Sequence, residues 1–556
     1  MDRRDFLSTL APIQTPGVQE TTSTKQTAQR TSTGLTQYAG AWGYDQAIHL
    51  LRRTMFGANI NDINYFLKKS MSASVDDLLT VPTTQPNPPI NNYNSGTNVD
   101  PDITAGATWV NGPDNPNFNS QRRQSFKYWW AGLMINQDKN ILEKMTLFWH
   151  NHFATQTQTT GSTILAYQNN LMLRQNALGN FKTMTKAVTI DPCMLKYLNG
   201  NLNTNKAPDE NYGRELQELF TVGKGPNSQY TEDDVKAAAK VLTGWRVNNS
   251  TLSSYFDSTK HETANKQFSA FYNNTLITGQ TGANGANEVD DLLTMIFNQN
   301  EGALFICRKL YRWFVYYDID AATESNVIVP MAQIFRQNNY DIKPVLAALF
   351  KSEHFYDAAN MGCLIKSPLD FCVGMCREFN IIFPDATQYA TQYYMWGQIW
   401  GASYIQQQDP GDPPNVAGWP AYYQVPSYHE LWINSDTLPK RNQISDLMVY
   451  SGIKKSGYTL IIDCIAVAQT MSDPTNPNTL IDDLCKYLHI LTLSAANKAT
   501  IKTSTLLSGQ STDSYWTNAW NAYLANPTNK TLKDTVNTRL ILLVKYLMDL
   551  SEYQLS

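Results

Sequence analysis

The chain is 556 residues long, with 44 Lys and Arg against 48 Asp and Glu and a formal net charge of −4. That length can bury a large core without disulfide or metal staples, and 42% hydrophobic residues mark a chain that folds. The near balance of charge excludes a nucleic-acid coat, which needs a basic excess. No run approaches the roughly 18 uncharged apolar residues of a spanning helix, which excludes an integral membrane protein.

The first residues, Met1-Asp2-Arg3-Arg4-Asp5-Phe6-Leu7, resemble a twin-arginine export signature, although no apolar h-region follows the pair. This points to an extracytoplasmic location, periplasm or cell surface, with the missing h-region pointing to the cytoplasm instead. Residues 1–40 are expected as a flexible tail. Helical spacing begins with Ile48, Leu51 and Met55, and short helices are expected over 59–70 and 73–81. Residues 82–118 are rich in Pro, Asn and Gly without a period, a long loop of a kind that is often functional. Helices are expected over 119–137, 138–153, 160–178, 181–190, 209–222 and 231–244. Residues 245–285 break the pattern and predict a small hairpin or irregular insertion. Helical periodicity returns at 287–299, 301–317, 324–338, 341–351, 366–380 and 385–400. A second Pro/Gly/Tyr loop covers 401–428, and 440–556 reads as helical. The expected fold is all-α: one large multi-helix body at 41–440 with two long ordered loops, and a C-terminal helical part at 441–556 packed on it. The seven scattered cysteines form no CxxC, and the Cys372/Cys376 pair reads as two small buried hydrophobes.

Several blocks resemble a bacterial family known as domain of unknown function 1800. They are His49-Leu50-Leu51-Arg52-Arg53-Thr54-Met55-Phe56-Gly57, then Glu143-Lys144-Met145-Thr146-Leu147-Phe148-Trp149-His150-Asn151-His152-Phe153. A third, Glu210-Asn211-Tyr212-Gly213-Arg214-Glu215-Leu216-Gln217-Glu218-Leu219-Phe220, runs on to Leu242-Thr243-Gly244-Trp245. Lys366-Ser367-Pro368 is the fourth. Pro413-Pro414-Asn415 with Gly418-Trp419-Pro420, and Trp432-Ile433-Asn434-Ser435, complete the set. Asp209 stands where the family usually has Asn, and loop 82–118 looks like an insertion. The resemblance implies an exported helical protein. It also implies a candidate partner chain from a neighbouring, distantly sulfatase-like family, domain of unknown function 1501.

In a regular helix Glu143, Leu147 and His150 share a face, and His152 lies about 200° from His150. The two histidines therefore cannot clamp one ion from within a helix. They read either as core histidines or, for His150, as a ligand or catalytic group. Asp209 is a good N-cap, and Asn211, Glu215 and Glu218 form a stripe, with Arg214 placed to pair with Glu218. If the 138–153 and 209–222 helices face each other, His150, Glu215 and Glu218 form a candidate divalent site, zinc or iron, that doubles as the catalytic candidate. Glu143, Asn211 and Arg214 would support it. The alternative is an Arg–Glu network that fixes packing. Lys260-His261-Glu262 reads as an accessible cluster, and Arg52-Arg53 as helix-end cations, with Arg53 alternatively binding an anionic group. Trp419, Trp432, Tyr422 and Tyr423 are a candidate partner or ligand surface.

Three functions follow. One is a non-catalytic assembly component acting with a partner chain. Another is a metal-dependent hydrolase or oxidoreductase, and the third an extracytoplasmic glycan-binding protein. A pocket where the second and fourth blocks converge favours the enzyme; a filled core there favours the scaffold.

Overall fold

Side-chain caps set the helix starts. Asn59 and Asp62 form a reciprocal capping box on helix Ile60–Leu67, and Thr231 and Asp234 do the same for Glu232–Val241. Ser367 caps helix Pro368–Glu378, whose first residue is a proline that loses no hydrogen bond there. The Lys366-Ser367-Pro368 block is thus a helix start.

The structure, a computed structural model, describes residues 31–556. The Arg3-Arg4 signature and most of the expected tail lie outside the described residues. Residues 31–38, expected as part of that tail, instead lie against 351–357. Gln37 bridges Ser352, the Tyr38 N–H donates to the Lys351 carbonyl at 2.8 Å, and Thr31 donates to Asp357 at 2.6 Å.

The described chain is mostly helical, but not purely so. Three two-stranded antiparallel pairs interrupt it: Trp245–Asn248 with Ser253–Phe256, Lys266–Gln267 with Leu276–Ile277, and Ile453–Lys455 with Tyr458–Leu460. The first two fall in the expected insertion. The third lies inside the C-terminal part that read as helical throughout. There Gly452 and Gly457 take positive φ on either side of Ile453–Lys455 and turn the chain back.

One hydrophobic cluster runs from Ile48 to Tyr553 and joins the C-terminal helices to the rest. The Tyr553 hydroxyl donates to Glu378 at 3.0 Å, and the Lys366 N–H donates to the Gln554 carbonyl at 2.8 Å. Loop 82–118 is pinned by the buried Arg122–Asp100 ion pair at 2.9 Å and by the Trp109 indole, which donates to Ser125 at 3.1 Å. No helix among the described residues is long and apolar enough to cross a membrane.

Candidate functional site: a buried basic pocket

The residues expected to hold a metal are not brought together. His150 is buried, and its Nε2 accepts the Gly411 N–H at 3.2 Å. Its ring stands edge-on to Trp130 with centroids 5.1 Å apart. Burial holds it down to about 4, against the raising influence of Asp412, so the ring is neutral and an acceptor at neutral pH. Glu143 forms a two-pronged ion pair with Arg174. Arg214 turns to Glu232 at 2.7 Å and Glu210 at 3.1 Å, not to Glu218. Glu218 takes Lys224 at 2.9 Å. Glu215 is half-buried and pushed up, first by burial and then by the Glu218 charge. Asn211 donates to the Leu198 carbonyl at 3.2 Å. Among the described residues no three His, Cys, Asp or Glu side chains are grouped to hold a metal ion.

The reason lies in helix pitch. The α-helix Glu210–Glu215 gives way to a π-helix, Leu216–Thr221. A π-turn advances each residue by less than the 100° of an α-helix, so a stripe drawn through Asn211, Glu215 and Glu218 does not survive past Leu216. The two elements do meet, but through His152. Lys309 donates to its Nδ1 at 3.0 Å, which leaves Nε2–H to donate to the Phe220 carbonyl at 2.9 Å. Lys309 also donates to the Leu219 carbonyl at 3.1 Å. A half-buried lysine, pushed down to about 7 by loss of solvation, and a buried histidine thus satisfy two carbonyls of the π-helix.

Other expectations change with burial. His261 is not accessible: it lies between Thr243 and Glu288, which also takes Lys266 at 2.6 Å. Trp419 and Trp432 are 1% and 4% exposed and present no indole to solvent. Tyr422 stacks on Trp313 with ring centroids 4.1 Å apart. Of the four expected surface aromatics, only Tyr423 is substantially exposed, at 37%.

The sequence blocks converge elsewhere. A narrow cavity of about 40 Å³ is lined by Arg52 and Arg53 of the first block, Lys144 of the second, Ser367 of the fourth and Trp432 of the last. Arg312 and Asp370 complete its charged lining. The last turn of helix Tyr44–Thr54 supplies the arginine pair, and the first turn of Leu142–His152 supplies Lys144. Lys144 pairs with Asp370, which also accepts the Ser367 hydroxyl at 2.9 Å. Arg52 donates through Nη2 to the Tyr487 carbonyl at 2.7 Å and lies 3.7 Å from Glu378. Its Nη1 is buried and has no hydrogen-bond partner. Arg53 donates to the Asn360 carbonyl at 3.0 Å. At the mouth, Arg312 lies over the Tyr428 ring, which stacks on Tyr317.

Just behind the lining, Lys366 shares Glu378 with Arg52, also at 3.7 Å, and is pushed down to about 8 by burial. Arg441 donates to the Lys366 carbonyl at 2.8 Å and is likewise lowered by burial, to about 10. Among the described residues, the side chains of Arg52, Arg53, Lys144, Arg312, Lys366 and Arg441 thus gather around the carboxylates of Asp370 and Glu378, and the C-terminal residue Ser556 also lines the cavity. Buried charge without a counter-charge costs several kcal/mol per ion.

The fold and this pocket define a mostly helical protein with a cation-rich cavity lined in part by four of its sequence blocks. The chain belongs to the family described as "Protein of unknown function (DUF1800)", whose sequence model matches residues 49–555. No curated protein and no solved structure matches it.

Proposed function

We propose that this protein binds an anionic group in the pocket formed by Arg52, Arg53, Lys144 and Arg312. The observation that carries this reading is the buried Arg52, whose Nη1 lacks a hydrogen-bond partner, standing among other cationic side chains of the lining. An oxyanion supplies negative charge and the missing acceptor together. The free volume suits a single carboxylate, sulfate or phosphate group and not a whole ligand, so the rest of the ligand extends past Tyr317 and Tyr428. The reading assigns a binding role and no reaction. An extracytoplasmic setting, supported by the Arg3-Arg4 signature, belongs to the same proposal, and cell fractionation tests it.

The test is thermal denaturation in sodium sulfate against sodium chloride at matched ionic strength. Sulfate stabilises folded proteins generally by exclusion from their surface, so the comparison with Arg52→Gln and, at the mouth, Arg312→Gln decides. The reading expects a sulfate-specific rise that both variants lose. An equal rise in all three proteins contradicts it.

A further inference from the structure

A second cavity has Trp419 in its wall. It is an open cleft of about 520 Å³ between residues 156–159 and 404–420, within the range of roughly 300–1,000 Å³ typical of small-molecule sites. Its chemistry is the reverse of the basic pocket. Lys127 Nζ lies 2.7 Å from Asp409 and 2.6 Å from Asp412. Two carboxylates against one ammonium leave a single net negative charge, which disfavours an anion. The ammonium already occupies the position between the carboxylates, which disfavours a metal cation.

The remaining groups are amides and rings. Gln158 and Gln407 line the cleft, and both are exposed. Gln407 is held at φ 75°, a left-handed conformation that a side chain rarely adopts. Tyr404 is 53% exposed, and it is not a loose surface ring. It stacks on Trp400 with centroids 5.3 Å apart and planes 19° from parallel. Trp400 is fixed in turn by its indole N–H, which donates to Asp409 at 3.0 Å, and by Lys127 at 5.1 Å from its ring. Asp412 is set by the Thr157 hydroxyl at 2.7 Å. The cleft therefore offers a preorganised aromatic platform beside fixed carboxylates and amides.

We infer that this cleft binds a neutral saccharide, its ring face laid on Tyr404 and its hydroxyls shared among Asp409, Asp412, Gln158 and Gln407. Carboxylates accept from hydroxyl groups, and primary amides both donate to and accept from them. A polyol satisfies both at once without bringing charge. An aromatic ring with a polar rim supplies large contact area at little entropic cost. This site is independent of the basic pocket and does not rest on the anion reading.

The experiment is calorimetric titration of the full chain with a panel of neutral hexasaccharides: cello-, xylo-, manno-, laminari-, malto- and chitohexaose. At least one is expected to bind. Tyr404→Ala, at an exposed position, and Gln158→Ala are each expected to weaken it about tenfold or more, a readily resolved difference. Tyr423→Ala leaves it unchanged. Failure of the whole panel to bind overturns the inference, and so does binding that Tyr404→Ala does not weaken.

Discussion

The two charge-rich regions of this molecule differ in one decisive respect. Around 210–232 most of the charges reach solvent and pair with one another: Arg214 meets Glu210 and Glu232, and Glu218 meets Lys224. Around Arg52 and Lys366 they are buried, and among the described residues cationic side chains outnumber the side-chain carboxylates they share. Exposed matched pairs contribute little and imply no ligand. A buried excess of one sign is costly to maintain and implies a compensating group. Polar clusters are therefore informative by their imbalance under burial and not by their density in the sequence.

The largest effect should come from a buried pair that is matched. Glu143→Gln leaves Arg174 buried without its counter-charge and should destabilise the fold by about 3–5 kcal/mol, read by chemical denaturation. A loss no larger than that of a surface substitution would mean that burial does not separate the two regions.

His150 gives the next effect through pH. Its folded value is depressed to about 4 against an ordinary 6.5, so the unfolded chain takes up a proton that the folded chain refuses. Stability contributed by the neutral ring is present above about 6.5 and is lost as pH falls towards about 4, by roughly 3 kcal/mol in all. Asp412 and Lys127 act on the ring with opposite signs. His150→Gln keeps an acceptor for the Gly411 N–H without titrating. Its stability should therefore fall less steeply than the parent's over that window, and parallel curves would refute the assignment.

In the basic pocket, a ligand at a hundred times its Kd stabilises by about 2.7 kcal/mol. Arg52→Gln should abolish that increment while costing little in anion-free buffer, since it relieves like-charge repulsion. A large loss in both buffers would make Arg52 a purely structural residue. The smallest effect belongs to Glu218→Gln, whose partner Lys224 lies in solvent. It should stay under about 1 kcal/mol, and a larger change would restore Glu218 as a buried site residue.

Much of the fold was legible. The expected helices at 138–153, 301–317 and 366–380 correspond to Leu142–His152, Asn300–Phe314 and Pro368–Glu378. Apolar periodicity and Ser-Pro capping are local signals that tertiary packing did not override. The hairpin at 453–460 was missed because two short strands turned by glycines carry no period long enough to detect. The site was legible only in part. The blocks containing Arg52, Lys144, Ser367 and Trp432 are visible as blocks, and Arg53 alone reads as a possible anion site. Their convergence was not visible, because it joins helix ends hundreds of residues apart. The His150–Glu215–Glu218 arrangement failed because a π-helix cannot be distinguished from an α-helix by residue pattern at 210–221. Lys366 and Arg312 were missed as well. The one usable signal was that lysines and arginines sit inside otherwise apolar helical segments, where a cation must find a partner.

The most direct test of the central claim is diffraction from crystals soaked in selenate, a sulfate analogue located by its anomalous signal. The account predicts an anomalous peak inside the pocket, within hydrogen-bond distance of Arg52 Nη1 and beside Lys144 and Arg312. Selenate bound at surface lysines with the pocket empty would contradict it.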